Sequence, residues 1–250
     1  MLMVQARDLH LVRSAMLSIL PPLLLAMLFA LWGTRALGLS NWYVVKALVV
    51  LAAGATLVLR GLPDHHPFRS LGAANRVTVA RGVLVALLAA LAGERESAFL
   101  AGIALAIGTI AAALDGLDGW LARKSNMASR FGARFDMETD ALLILVLAVL
   151  TWQFDKAGAW VLLTGLLRYA FVLAGLAMEW LRAPLFPSVR RKAIAAAQMV
   201  ALLFALAPFV PRGVSAPIAG AAVVALVYSF LVDIAWLRRE ATRVGASEAA

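Results

Sequence analysis

The sequence predicts an all-α integral membrane protein in which a two-helix N-terminal hairpin precedes a six-helix core, eight transmembrane helices in total. Three observations predict it. Hydrophobic residues make up 63% of the 250-residue chain and charged residues only 15%, with a mean hydropathy of +0.89, so there is more apolar surface than one soluble core can hide. Apolar runs close to the roughly twenty residues that cross a bilayer recur along the whole length. The basic residues behind the net charge of +9 sit mostly at the ends of those runs, where lipid headgroups lie, and form no stripe on a soluble face. That placement argues for a lipid bilayer as partner and against nucleic acid.

The first run, Ser14 to Trp32, is longer than a signal-peptide core and is read as a retained span. Cleavage after it is the alternative, since Arg7 and Arg13 precede it and the small residues Gly33 and Ala36 follow. Taking that first span as 14–34, the others are expected at 42–60, 75–93, 98–123, 132–154, 158–181, 190–209 and 214–237. Turn signals separate them, among them Gly38 to Asn41, Gly93 to Ser97, Lys124 to Asn126, Asp155 to Gly158 and Pro211 to Gly213. Residues 61–73, with two prolines and two histidines, break helix and divide the hairpin, residues 1–70, from a working domain, residues 71–250. His65 and His66 are neighbours on that loop and read as interfacial residues, not as a metal pair. With no cysteine, any metal must be held by oxygen or by histidine, which favours a hard cation.

Lys and Arg accumulate in cytoplasmic loops, so their placement tests the span map. With the N-terminus inside, Arg35, Lys46, Arg95, Lys156 and Arg212 fall outside and Arg168 falls within a span. All the other lysines and arginines fall on the cytoplasmic side. Both termini are therefore expected in the cytoplasm, and the membrane is expected to be a bacterial inner membrane.

The informative segment is Ala111 to Leu142. Asp115, Asp118, Asp136 and Asp140 lie there inside otherwise apolar helices, where a charge costs roughly 2.5–3.5 kcal/mol on the mildest insertion scale. Something must compensate them. A turn near residue 127 makes the pairs Asp118/Asp136 and Asp115/Asp140 nearly symmetric about it, so antiparallel helices place the members of each pair at matching depths. At 100° per residue the first two aspartates are about 60° apart on their helix and the last two about 40°, so each pair shares one face. Four converging carboxylates would repel one another, and two Mg²⁺ or Mn²⁺ ions held by Asp115, Asp118, Asp136 and Asp140 would resolve this; paired hard cations suit displacement at phosphorus. Structural ion pairing with Arg123, Arg130 and Arg134 is the plainer alternative, but it leaves the symmetry unexplained. Glu138 projects about 160° away from Asp136 and Asp140 and is expected outside the cluster.

The pattern Asp115-x2-Asp118-Gly119-x2-Ala122-Arg123-x8-Gly132-x3-Asp136-x3-Asp140 resembles the signature of the CDP-alcohol phosphotransferase (CDP-alcohol phosphatidyltransferase) family in every fixed position. Upstream, Asn75-x2-Thr78-x2-Arg81 is similar to the element that opens the family's first core helix, with Ala74 in place of its usual leading proline. The resemblance implies a six-helix catalytic core over about residues 72–237. It implies that Asp115, Asp118 and Asp136 are metal ligands and that Asp140 is the general base beside the metals. By the same resemblance Gly119, Ala122, Arg123 and Gly132, with Asn75, Thr78 and Arg81, hold the cytidine nucleotide. The implied reaction joins CDP-diacylglycerol to an alcohol acceptor and releases CMP, within phospholipid biosynthesis, and the implied assembly is a homodimer.

For the acceptor, Arg190, Arg191 and Lys192 at the head of the seventh span would suit a phosphate. The phosphatidylglycerophosphate synthase subgroup often carries Gly-Lys-x-Lys-Thr-x2-Gln there, and this chain keeps only a lysine and Gln198. Simple anchoring at the membrane face explains the cluster equally well. Arg168, in the middle of a span, is expected to face the polar cavity. Three other readings compete: a CDP-aminoalcohol phosphotransferase acting on diacylglycerol, whose known forms tend to be longer; an enzyme that has lost activity and serves as a membrane scaffold, against which the intact acidic set argues; and a divalent-cation transporter. The transporter should carry acids on toward the far membrane face, whereas the later helices supply only Asp155, Glu179 and Asp233, near span ends.

Overall fold

The computed structural model of the chain describes residues 2–248 apart from residues 66, 69, 126 and 128. Regular structure among them is helical: α1 (Leu2–Ala36), α2 (Asn41–His65), α3 (Ala73–Ala90), α4 (Ala98–Ser125), α5 (Arg130–Gln153), α6 (Leu163–Ala177), α7 (Val189–Leu206) and α8 (Arg212–Glu248). Single 3-10 turns stand at Ala159–Leu162, leading into α6, and at Glu179–Arg182. Helix α2 runs through Pro63 as far as His65, so the expected break over 61–73 is shorter than its prolines suggest. His66 and Arg69 lie outside the described residues.

The eight helices of the sequence reading are all present, but its eight transmembrane spans are not. Among the described residues, six helical segments are long and apolar enough to cross a membrane: Arg13–Ala36, Asn41–Gly61, Ala73–Ala90, Ala98–Ser125, Ala159–Ala177 and Arg212–Arg243. The two that fail are α5 and α7, and charge is the reason. Helix α5 opens with Arg130, Arg134, Asp136, Glu138 and Asp140, and α7 with Arg190, Arg191 and Lys192. The apolar stretch left in each is roughly 20 Å long at 1.5 Å per residue, against a hydrocarbon core of about 30 Å. The chain is a multi-spanning helical membrane protein with two helices whose polar ends shorten their apolar length. Large apolar side chains on the outer faces, such as Leu24, Leu25, Trp42, Leu57, Leu173 and Val200, are exposed, as expected where lipid is the solvent.

The chain divides into two compact units, Met1–Val146 and Leu147–Ala250. In the first, α3 packs against α1, α2 and α4. Leu11, Ala15 and Ile19 of α1, Val58 of α2, Val79 of α3, Phe131 of α5 and Leu71 of the linker form one buried cluster, with Phe135 stacked on Phe131 at 5.7 Å between ring centroids. Gly72 turns the chain into α3 with φ +81, a conformation open to glycine, and a Cβ there would press on Met127 at 3.2 Å. At the opposite end, buried Glu94 in the α3–α4 turn accepts hydrogen bonds of 2.8 Å from the Ser40 backbone N–H, the Ser40 hydroxyl and Lys46 Nζ. Burial raises the pKa of this carboxyl, but the hydrogen bonds from Lys46 and Ser40 outweigh it and hold the group below the usual carboxylate range.

In the second unit, long cations satisfy helix ends. Lys156 Nζ donates to the carbonyls of Ala207 at 2.9 Å and Val210 at 2.6 Å, just past the C-terminus of α7. Arg182 does the same for α6, donating from Nε to the Gly175 carbonyl at 2.5 Å and from Nη2 to Leu176 at 3.1 Å. Both follow from the need to pair every terminal carbonyl, which carries a partial negative charge.

The Glu94 staple makes a pH prediction. A carboxyl whose folded pKa lies below its unfolded value adds stability that is present above the unfolded pKa and is lost as pH falls through the folded one. Thermal midpoints in detergent should therefore drop as pH is lowered below about 4.5, the carboxyl's ordinary value. Glu94→Gln should remove this component and cost about 1–3 kcal/mol at neutral pH; an unchanged profile for that variant would disprove it.

Candidate active site

Helix α3 carries one buried cation on a face otherwise made of valine, alanine and small polar residues. Arg81 is 0% exposed, and its burial is explained by what surrounds it. Its Nη1 lies 3.0 Å from Asp115 Oδ1, 2.7 Å from Asp118 Oδ2 and 2.5 Å from Asp136 Oδ1, and its Nη2 ion-pairs with Asp140. Its Nε donates to the Ala111 carbonyl at 3.2 Å. Four carboxylates from α4 and α5 thus meet one guanidinium from α3, whose planar fork offers donors in several directions at once.

The helical spacing explains the meeting. Asp115 and Asp118 are three residues apart and Asp136 and Asp140 four, so each helix offers two acids on one stripe. On α3, Thr78 and Arg81 are likewise three apart. The Thr78 hydroxyl lies 3.1 Å from Asp118 Oδ2 and 3.2 Å from the Ala74 carbonyl, within donating reach of both. Asp118 is buried, whereas the side chains of Asp115, Asp136 and Asp140 are 35–46% exposed, so Arg81, Thr78 and Asp118 form a floor and the other three acids an open rim.

Among the described residues, Asp115, Asp118 and Asp136 each bring a carboxylate oxygen within 4.8 Å of the others, a spacing that could hold a divalent cation. The donor set fits one. Four carboxylates against one guanidinium leave a formal excess of three negative charges, and all-oxygen ligands suit a hard ion. Asp140 lies outside that group of three and is held by the other guanidinium nitrogen.

The remaining residues singled out from the sequence are placed as follows. Gly132 sits beside Asn75, and a Cβ at 132 would lie 2.7 Å from Asn75 Oδ1. Asn75 is itself fixed, donating from Nδ2 to the Leu71 carbonyl at 2.7 Å, while the Gly132 N–H donates to the Ser129 hydroxyl at 3.0 Å. Gly119 and Ala122 are half-buried and Arg123 is exposed; a Cβ at Gly119 would only touch Arg123 Nη1, at 3.4 Å. Arg123, Arg130 and Arg134, the cations weighed for neutralising the aspartates, are all exposed, and the ion pairs described at the acids are those of Arg81.

The second unit holds the other cations. Arg168 is half-buried in the middle of α6. Arg190 Nη2 and Arg191 Nη1 both ion-pair with Asp233 Oδ1 of α8, at 2.5 and 3.1 Å, and Lys192 is exposed. Arg191 also donates to the Phe186 carbonyl and lies over its ring at 5.3 Å. The convergence of Arg81 on the acids and of Asp233 on the arginines was not read from the sequence. A signal existed for Arg81, since a charge several residues inside an apolar span demands a partner from another helix.

The model of the CDP-alcohol phosphatidyltransferase family matches residues 71–234. The chain belongs to this family. The match takes in α3 to α7 whole and most of α8, so every aspartate of the cluster and Arg81 lie in the family's part. Among curated proteins, a stretch of 79 residues is 39% identical to CDP-diacylglycerol--glycerol-3-phosphate 3-phosphatidyltransferase of Bacillus subtilis (strain 168), covering 32% of this chain and 39% of that one. The chain thus spans well under half the length of the curated relative it matches. No solved structure matches it. Membership of the CDP-alcohol phosphatidyltransferase family supports transferase chemistry in general and agrees with a charged, oxygen-lined site.

Gly132→Ala tests the close approach of α5 to α3. The added methyl must displace Asn75, and overpacking of this kind costs about 1–3 kcal/mol. A matching fall in thermal stability is expected, relieved in part by the double variant Gly132→Ala/Asn75→Ala. Additive losses in the double variant would show that the two positions do not interact.

Proposed function

We propose that the chain transfers a phosphatidyl group from CDP-diacylglycerol to an alcohol acceptor and releases CMP. The observation that carries the reading is the gathering of four aspartates from two helices around one buried guanidinium, in a chain of this family. The name of the Bacillus relative describes the same class of reaction, with glycerol 3-phosphate as acceptor. That alcohol is therefore the first to assay.

In this reading Asp115, Asp118 and Asp136 would hold two Mg²⁺ or Mn²⁺ ions, which when bound would supply positive charge against the diphosphate oxygens and the departing CMP. Asp140 accepts the proton of the acceptor hydroxyl. The freed oxygen forms a bond to the phosphorus that bears diacylglycerol, and the bond from that phosphorus to the oxygen shared with CMP breaks. Arg81 keeps the carboxylates gathered when the charge around them changes. Gly119, Ala122, Arg123 and Gly132, with Asn75 and Thr78, border the nucleotide, where small side chains leave room for it. Arg168, Arg190, Arg191 and Lys192 are the cations we assign to an anionic acceptor. Asp233 orders two of them in advance, which supports a binding use over simple anchoring. The whole is read as a homodimer in a bacterial inner membrane, with the acidic site and both termini facing the cytoplasm.

The deciding assay uses purified protein in detergent, CDP-diacylglycerol, a panel of alcohols and Mg²⁺ or Mn²⁺, with CMP release as readout. Chelation should abolish turnover and either ion should restore it. Asp140→Asn should lower kcat by at least about a hundredfold, in the range of a lost general base, while largely retaining nucleotide binding. Normal turnover by that variant would remove Asp140 as the base, and turnover without any divalent ion would remove the metal reading.

A further inference from the structure

We propose that α1 and α3 form a second ligand site, a pocket for the headgroup of an anionic phospholipid that carries hydroxyl groups. The pocket is an open cavity of about 680 Å³ lined by Arg13, Ser14, Leu17, Ser18, Pro21 and Pro22 of α1 and by Arg76 of α3. It shares no residue with the aspartate cluster. Arg76 is one residue on from Asn75 and lies about 140° from Arg81 around α3, so the helix turns one face to the acids and another to this cavity.

Depth selects the ligand. Arg13 opens the apolar segment Arg13–Ala36, and Arg76 lies in the first turn of Ala73–Ala90, so both cations stand where two membrane spans enter the bilayer. That is headgroup level, where phosphate charge is concentrated. Among the described residues neither arginine is in an ion pair, and both are exposed. Two unpaired guanidinium groups facing one cavity suit a phosphodiester, which they can hydrogen-bond in parallel.

The backbone adds acceptors to these donors. Pro21 and Pro22 lie inside α1 and have no N–H, so the carbonyls of Leu17 and Ser18 lose their partners one turn on. In water such carbonyls would be hydrated, but at the edge of the hydrocarbon they need a donor. Hydroxyls on the headgroup provide it. The hydroxyl of Ser14 accepts a hydrogen bond from the Leu71 N–H at 3.3 Å, which leaves its own proton available to a phosphate oxygen. From Leu17 at the pocket the exposed residues Leu20 and Leu24 continue an apolar stripe along which acyl chains can lie. A free phosphate would gain nothing from that stripe, so the occupant is a lipid.

The test measures the thermal midpoint of the full chain in uncharged detergent against dioctanoyl phosphatidylglycerol, dioctanoyl phosphatidylcholine and inorganic phosphate. Phosphatidylglycerol should raise the midpoint in a saturable way and the other two should not. Arg13→Gln/Arg76→Gln should shift the lipid concentration for half the effect upward by at least about tenfold, the scale of lost charge-assisted hydrogen bonds, without lowering the lipid-free midpoint. Arg13→Lys should keep most of the response. An equal rise with phosphatidylcholine would overturn the charge reading, and one with inorganic phosphate the lipid reading. An unchanged response in the double variant, or in Arg13→Gln alone if the double variant does not fold, would overturn the site.

Discussion

A guanidinium with no exposed surface, in contact with four carboxylates, sets the terms for the N-terminal unit. At an effective dielectric near 20, opposite charges 3 Å apart attract by about 5 kcal/mol, and like charges at 4.8 Å repel by about 3–4 kcal/mol. Arg81 can therefore hold together acids that would otherwise drive α4 and α5 apart. It cannot neutralise them. The surplus negative charge keeps the rim of the site attractive to further cations, while the buried floor of Arg81, Thr78 and Asp118 remains fixed. A fully paired floor beneath an electrically unsatisfied rim is well arranged to take up cations.

The rest of the unit positions that contact. Helix α3 carries Arg81, and α1 and α2 brace it through the cluster around Leu11, Ile19, Val58 and Val79. Gly132 lets α5 come close enough for its backbone to meet Asn75 of α3, which brings Asp136 and Asp140 within reach. At the other end of α3, Glu94 ties the α3–α4 turn to Ser40 and Lys46. The polar contacts sit at the helix ends and at one level in the interior; apolar packing fills the remainder.

Helix existence was legible because each apolar run is bounded by turn residues, and the stripe of acids was legible because spacings of three and four leave one face of a helix. The turn between α4 and α5 falls where the symmetry of the acids puts it, between Ser125 and Arg130. Spanning is overread in α5 and α7, because an apolar run can absorb three to five charges at one end and still look long enough. The sequence placed Arg81 in a nucleotide element, whereas in the structure its side chain is taken up by carboxylates from residues 34 to 59 positions away. Sequence separation of that size hides a partner, since local periodicity reports the direction a side chain faces and not what waits there. Asp233 with Arg190 and Arg191 is the same case in the second unit.

The short apolar length of α5 is not left to the membrane to accommodate. Where a helix offers less hydrocarbon-compatible surface than the bilayer is thick, lipids tilt and compress around it, at a cost of a fraction of a kcal/mol per ångström of mismatch. In α5 that apolar stretch is turned to protein, with only Trp152 exposed among residues 141–153, so its short length is met by neighbouring side chains and not by lipid.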